Sequence, residues 1–152
     1  MNRSPLSSTR RALLGAAALA PAWPGATLAQ AQPDVPALRA YLAGRPARME
    51  RVTLDIPRIA DNGNVIPVRM AVAGPFAPGA EVKSLHLFAE KNPVPQMAVF
   101  HFPVPVKRVE VESRVRLAGT QRVAAVATLA DGTLLTAVAD VIVTISACID
   151  GT

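Results

Sequence analysis

The chain has 152 residues, 51% of them apolar but only 4% aromatic, and a formal charge of +5. This is enough for one domain with a modest core of Val, Ala, Leu and Ile, a composition that suits strands and argues against a nucleic-acid surface of interleaved basic and aromatic side chains. The single cysteine excludes both an internal disulfide framework and a multi-thiolate metal site.

Residues 1–31 read as a signal peptide. Ser8-Thr9-Arg10-Arg11-Ala12-Leu13-Leu14 resembles the twin-arginine export motif, with Arg10 and Arg11 as its pair. The apolar stretch Leu13–Ala20 is too short to span a bilayer. Ala29-Gln30-Ala31 supplies a small-x-small cleavage site, with Thr27-Leu28-Ala29 as an alternative. An ordinary secretory signal that happens to carry two arginines is the competing reading. Three of the 16 basic residues, Arg3, Arg10 and Arg11, lie in this acid-free stretch, so the remainder is nearly balanced at 13 basic against 11 acidic. The expectation is a soluble, exported protein in the periplasm, with one domain over residues 32–145 and no second domain.

Asp34 to Leu42 suits one short helix, with Asp34 as N-cap, Pro36 in the first turn and Leu38, Tyr41 and Leu42 on one side; Gly44 then stops it. The rest reads as strands. Val52–Ile56 alternates, Asp61-Asn62-Gly63-Asn64 makes a turn, and Val65–Ala73 follows as a strand. Val82–Ala89 alternates, with Val82, Ser84, His86 and Phe88 on one face and Lys83, Leu85, Leu87 and Ala89 on the other. Met97–Phe102 is a short strand. Val109–Leu117 sets Val and Leu against Glu and Arg, which gives one wet side. Gln121–Leu129 and a last strand with Leu135, Ala137, Ala139, Val141, Val143 and Ile145 on one face flank the hairpin turn Asp131-Gly132. About seven strands with regular turns predict an all-β fold. Its form is an immunoglobulin-like antiparallel β-sandwich, preceded by a short helix and followed by a flexible C-terminal arm. Prolines within strands suggest sheet edges.

The arm is residues 146–152, Ser146-Ala147-Cys148-Ile149-Asp150-Gly151-Thr152. Cys148 comes three residues past Ile145, so about 10 Å of extended chain separates the two. A slim segment with a thiol near its tip suits a covalent carrier, because the nucleophile must travel into another protein's cleft and its neighbours must not obstruct it. The thiolate is the reactive form. No basic residue lies in the arm, so the activating charge is expected from the enzyme that receives it. Two other readings stay open: a small apolar core cysteine, and a disulfide to a partner chain.

Several stretches together resemble the SoxY family of sulfur carriers. Ile56-Pro57-Arg58-Ile59-Ala60-Asp61-Asn62-Gly63-Asn64-Val65-Ile66-Pro67-Val68 is similar to its P-x-I-A-(E/D)-N-G-x-x-V-P-V stretch. Val82-Lys83-Ser84-Leu85 and Phe88-Ala89-Glu90-Lys91-Asn92-Pro93-Val94-Pro95 resemble its next signature, and Val115-Arg116-Leu117-Ala118 with Gln121 its later half. The resemblance implies a sandwich that pairs with a second small β-protein, SoxZ. It also implies a cysteine, here Cys148, to which a c-type cytochrome enzyme couples thiosulfate and from which a dinuclear-manganese hydrolase releases sulfate. Family arms place glycines around the thiol, whereas this one has Ser146, Ala147, Ile149, Asp150 and Gly151, similar to a branch with Ala-Ala-Cys-Ile-Glu. Ile149 is stiff and apolar. It would hinder passage through a channel shaped for glycine and dock instead in a small pocket of a different enzyme.

Other candidates carry less. His86 and His101 form a metal pair only if their strands adjoin, and no metal or other cofactor is expected. Asp61 and Asp140 show no acid–base partner. Asn62-Gly63 and Asn92-Pro93 read as turn chemistry, and Phe76, Phe88, Phe100 and Phe102 as core or interface. The expectation is a non-enzymatic carrier of thiosulfate-derived intermediates on Cys148, read by sulfur-oxidising enzymes beside a SoxZ-like partner. The alternative is a non-catalytic periplasmic scaffold with an inert or disulfide-forming Cys148.

Overall fold

The computed structural model describes residues 34–145. Residues 1–33 and 146–152 fall outside them, and with them the leader and the Cys148 segment. The described chain runs α1 (Pro36–Leu42), β1 (Ala47–Arg48), β2 (Val52–Asp55), β3 (Ile59–Ala60), β4 (Ile66–Val72), β5 (Val82–Ala89), β6 (Gln96–His101), β7 (Val109–Val115), β8 (Gln121–Leu129) and β9 (Leu134–Val143). No described helix is long and apolar enough to cross a membrane.

Two sheets form an all-β sandwich. The large one has the order β1-β9-β8-β5-β6, with β3 also on β9; the small one is β2-β4-β7. Pairing is antiparallel except for β1 and β3, which lie parallel to the start and the end of β9. The facing sides of the sheets interleave Val68, Met70, Leu85, Leu87, Val109, Val123, Ala125, Leu135 and Val141 in one core. This is the alternating strand pattern at work: Val109, Val111 and Val115 turn in, while Glu110, Glu112 and Arg114 line the wet side.

The large sheet has a second apolar layer on its back, where α1 lies. Val35, Leu38 and Leu42 pack on Phe88, Ala124, Val126 and Leu134. Strands β5 and β8 are therefore buried on both faces, which explains their near-continuous apolar runs.

Four expectations need correction. The helix begins at Pro36 with Val35 at its N-cap position and no side-chain cap; Asp34 instead pairs with Arg39 and Arg122. Ala43, not Gly44, takes the left-handed C-cap, and Gly44 follows at φ 79. Val82 does not share a face with Ser84, His86 and Phe88: a register shift between Val82 and Ser84 turns Val82 into the main core. β9 ends at Val143, and Ile145 is 63% exposed instead of continuing the inward row. Pro67 lies in the middle strand of the small sheet. Its pairing with β2 begins only at Arg69, so proline occupies a locally open edge.

Candidate functional site

Cys148, its neighbours Ser146, Ala147, Ile149, Asp150 and Gly151, and the leader pair Arg10 and Arg11 lie outside the described residues. The structure does define the platform from which the Cys148 segment departs. The chain leaves β9 at Val143, but the next two residues are still held. The Thr144 N–H donates to the Ala60 carbonyl at 3.0 Å, and its hydroxyl to the Asp61 carbonyl at 2.8 Å. The Gly63 N–H donates to the Ile145 carbonyl at 2.9 Å, and the Leu117 N–H to the Gly63 carbonyl at 2.8 Å. The Val143 N–H donates to the Thr120 hydroxyl at 3.0 Å. These bonds fix the root of the segment on residues 60–63 and on Thr120, and Leu117 in turn holds Gly63.

The Asp61–Asn64 turn is thus more than a connection. Asn62 Oδ1 accepts from the Asn64 N–H at 2.8 Å, shaping a turn that presents both peptide groups of buried Gly63 to Ile145 and Leu117. The Asn92-Pro93 turn is a clamp as well. Asn92 Oδ1 accepts from the Ala118 N–H (3.0 Å) and from Gln121 Nε2 (2.9 Å), and Asn92 Nδ2 donates to the Arg116 carbonyl (2.8 Å). Gln121, 4% exposed, accepts from the Lys91 N–H at 2.7 Å. Both turns were visible as Asn-Gly and Asn-Pro pairs. Their long-range partners, 24 to 29 residues away for Asn92, leave no local signal.

Several large apolar side chains stand exposed in the stretches that form this root, among exposed polar neighbours such as Arg58, Asp61 and Thr144. Ile59 and Ile142 are register partners, 62% and 51% exposed, while the following residues Ala60 and Val143 turn inward. Val65 is 64% exposed. The inward row read from the sequence, Leu135 to Ile145, leaves Ile142 on the opposite face, but nothing in the sequence pairs it with Ile59.

The histidines sit elsewhere. Their strands do adjoin, with Ser84 opposite His101, and the two rings are 6.4 Å apart. Gln96 Nε2 donates to His86 Nδ1 at 3.1 Å, which leaves the proton on Nε2, facing the Tyr41 hydroxyl (3.0 Å) and the Ser84 hydroxyl (2.9 Å). The Tyr41 hydroxyl also meets Thr128 Oγ1 at 2.9 Å. Both His86 nitrogens are therefore committed to side chains, and the group acts as a polar tether for α1. Burial, and secondarily the charge of His101, push the His86 pKa down. Among the described residues no group of three or more His, Cys, Asp or Glu is placed to hold a metal ion.

A cleft of about 750 Å³ lies on the wet face of the small sheet, lined by Asp55, Pro57, Pro67, Arg69, Glu112 and Arg114. Hydrogen bonding from Arg69, then from Arg108, holds the Glu110 carboxyl below its usual range. Arg69 at the cleft pairs with Glu110 and Glu112, and Arg108 with Glu110, in exposed surface ion pairs of little energetic weight.

Comparison with known proteins gives the following. No curated protein matches the chain. Among solved structures, the sulfur carrier protein SoxY from Chlorobium limicola f thiosulfatophilum is similar at 32% identity, over 72% of this chain and 94% of that one, with a TM-score of 0.59. Superoxide reductase from Nanoarchaeum equitans shares the fold at 12% identity and TM-score 0.52, over 63% of this chain and all of that one. A family model described as "Sulfur oxidation protein SoxY" matches residues 38–148, a span that includes Cys148. On the length of that match and the identity to the Chlorobium protein, the chain belongs to the SoxY family.

Proposed function

We propose that this protein is a sulfur carrier in sulfur oxidation and that Cys148 is the atom-bearing site. The observation that carries the reading is the family match, which runs through the whole sandwich and reaches Cys148. The geometry supports it. The chain is pinned by backbone hydrogen bonds up to Ile145, and three further residues allow the thiol a reach of about 10 Å from a fixed base. A carrier needs that combination, because a rigid platform sets where the moving group can go.

The chemistry balances with thiosulfate as cargo. The Cys148 thiolate and thiosulfate form one S–S bond, giving Cys148–S–S–SO3⁻, and release two electrons to a c-type cytochrome. Water then cleaves the outer S–S bond. Sulfate and two protons depart, and a persulfide anion stays on Cys148. The carrier contributes the nucleophile and its delivery; other enzymes contribute the catalysis. The leader with Arg10 and Arg11 supports export to the periplasm by the twin-arginine route. A SoxZ-like small β-protein is the proposed companion, covering sheet edge left open in a chain this small.

The rival is a scaffold with an inert or disulfide-forming Cys148. A bulky thiol reagent applied to the native protein separates the two. The carrier reading expects labelling within about threefold of the denatured chain, and loss of thiosulfate-dependent sulfur oxidation in a Cys148→Ser strain. Slow labelling, a stable disulfide dimer on a non-reducing gel or an unaffected mutant strain favours the scaffold.

A further inference from the structure

Residues 146–152 contain no cation, while Asp150 and the reactive thiolate of Cys148 are both negative. Such a segment repels a sulfur oxyanion, thiosulfate being a dianion. The body of the protein carries the opposite sign where the segment starts. The Arg58 carbonyl, just before β3, accepts from the Ile142 N–H at 2.8 Å. Lys91, after β5, donates from Nζ at 3.0 Å to the carbonyl of Thr120, the residue whose hydroxyl takes the Val143 N–H. Arg116, after β7, precedes Leu117, whose N–H bonds Gly63, and Gly63 in turn holds the Ile145 carbonyl. All three cations are exposed. Among the described residues none of them is within ion-pair distance of a carboxylate, whereas Arg39, Arg48, Arg69, Arg108 and Arg122 are each paired with one. Glu90 and Asp140 both face Arg122, so the acid left beside the three is exposed Asp61.

Like charges brought to one end of a molecule from three distant stretches repel one another, and an anion among them relieves the repulsion. The chain length keeps the thiol in their field. Cys148 is three residues past Ile145, at most about 10 Å of extended chain, and the Debye length at 0.1 M salt is also about 10 Å. Resting on the carrier reading, we propose that Arg58, Lys91 and Arg116 form a cationic collar that gathers sulfur oxyanions at Cys148 and offsets the negative charge of the segment itself. They are positioning residues: they act on the approach of the anion and form no bond to sulfur. Part of the charge that the segment lacks thus comes from the carrier's own body, and not only from the enzymes that receive it.

The test uses the purified full chain and two reagents for the Cys148 thiol, with the adducts identified by intact-mass spectrometry. Tetrathionate is a dianion: the thiolate attacks an inner sulfur, the central S–S bond breaks, Cys148–S–S–SO3⁻ forms and thiosulfate leaves. An uncharged dipyridyl disulfide reacts by the same exchange and releases a pyridinethiolate. The ratio of the two rate constants cancels the thiolate fraction and isolates the approach of the anion. In Arg58→Gln/Lys91→Gln/Arg116→Gln that ratio is expected to fall at least about threefold at low ionic strength. Near 1 M salt, where the Debye length is about 3 Å, the difference from wild type should close. Arg58→Lys/Lys91→Arg/Arg116→Lys keeps the charges and should stay within about 1.5-fold of wild type. An unchanged ratio in the glutamine variant, or a fall that survives 1 M salt, overturns the proposal and leaves the carrier reading intact. Equal slowing with both reagents also overturns it, since the substitutions would then act on the thiol segment itself. Should the triple variant not fold, Arg58→Gln and Arg116→Gln singly, which leave the Lys91–Thr120 bond in place, must each show part of the fall; none in either overturns the collar. A wild-type Cys148 that neither reagent modifies overturns the carrier reading, and the collar with it.

Discussion

The two ends of β9 use the same device to opposite effect. At the start, β1 lies parallel to Leu134 and Leu135, and both leucines are 1% exposed. At the finish, β3 lies parallel to Ile142 and Val143, yet Ile142 and its partner Ile59 stay more than half exposed. The difference on the outer face is α1. Leu38 and Leu42 seal Leu134 and the neighbouring Ala124 and Val126, and the helix stops there. Burying a side chain of this size is worth about 1.5–3 kcal/mol. The fold takes that stabilisation at one end and forgoes it at the other, where the Cys148 segment begins.

The largest expected effect separates the two ends directly. Leu134→Ala removes a fully packed side chain and should cost about 2–5 kcal/mol in urea unfolding. Ile142→Ala should change stability by no more than about 0.5 kcal/mol. Equal costs would break the contrast and place Ile142 in the core.

At the open end, polar clamps replace apolar packing. Asn92→Ala deprives the Ala118 N–H, the Gln121 amide and the Arg116 carbonyl of a partner. It should cost about 1–3 kcal/mol. Hydrogen exchange should rise first around residues 116–121. A uniform rise across the sheet would show that the clamp is not local.

At the sealed end the matching change is smaller. Tyr41→Phe keeps the ring against His86 and Phe88 but removes the hydroxyl that bridges His86 and Thr128. A loss of about 1–2 kcal/mol is expected, with α1 opening before the sheet. The same His86 sets a pH dependence. Its folded pKa lies below the unfolded value near 6.5. As pH falls below that value the unfolded chain binds the proton first, so stability declines until the folded pKa is passed and then levels off. Protonation at Nδ1 would also displace the Gln96 donor. Urea midpoints between pH 7.5 and 5 should fall for wild type and flatten for His86→Gln; an unchanged slope in the variant would place the titration elsewhere.

Much of this was legible in the sequence, for identifiable reasons. β5 and β8 have the predicted bounds, because alternation and flanking turns mark a strand locally. The wet face of β7 follows from Glu110, Glu112 and Arg114 alternating with Val109, Val111, Ser113 and Val115. The face of Val82 was misread because a bulge moves period-two counting by one, and a bulge has no residue signature here. The two-residue strands β1 and β3 escaped notice since their order comes from β9, far along the chain. The Tyr41–His86–Gln96 tether and the Gly63–Ile145 anchor are likewise contacts between distant segments. Ile59 and Ile142 show the limit most clearly. Alternation already turns Ile142 away from the inward row, but only the pairing of β3 with β9 and the end of α1 show that it and Ile59 stand together and uncovered.

The most direct test is the state of Cys148 in protein recovered from cells grown on thiosulfate and kept under non-reducing conditions. Intact-mass and peptide spectra should show a fraction of the 146–152 segment carrying the added mass of a thiosulfonate or persulfide sulfur on Cys148, absent in Cys148→Ser. A cysteine that is always a bare thiol, at every stage of thiosulfate consumption, would contradict the carrier function.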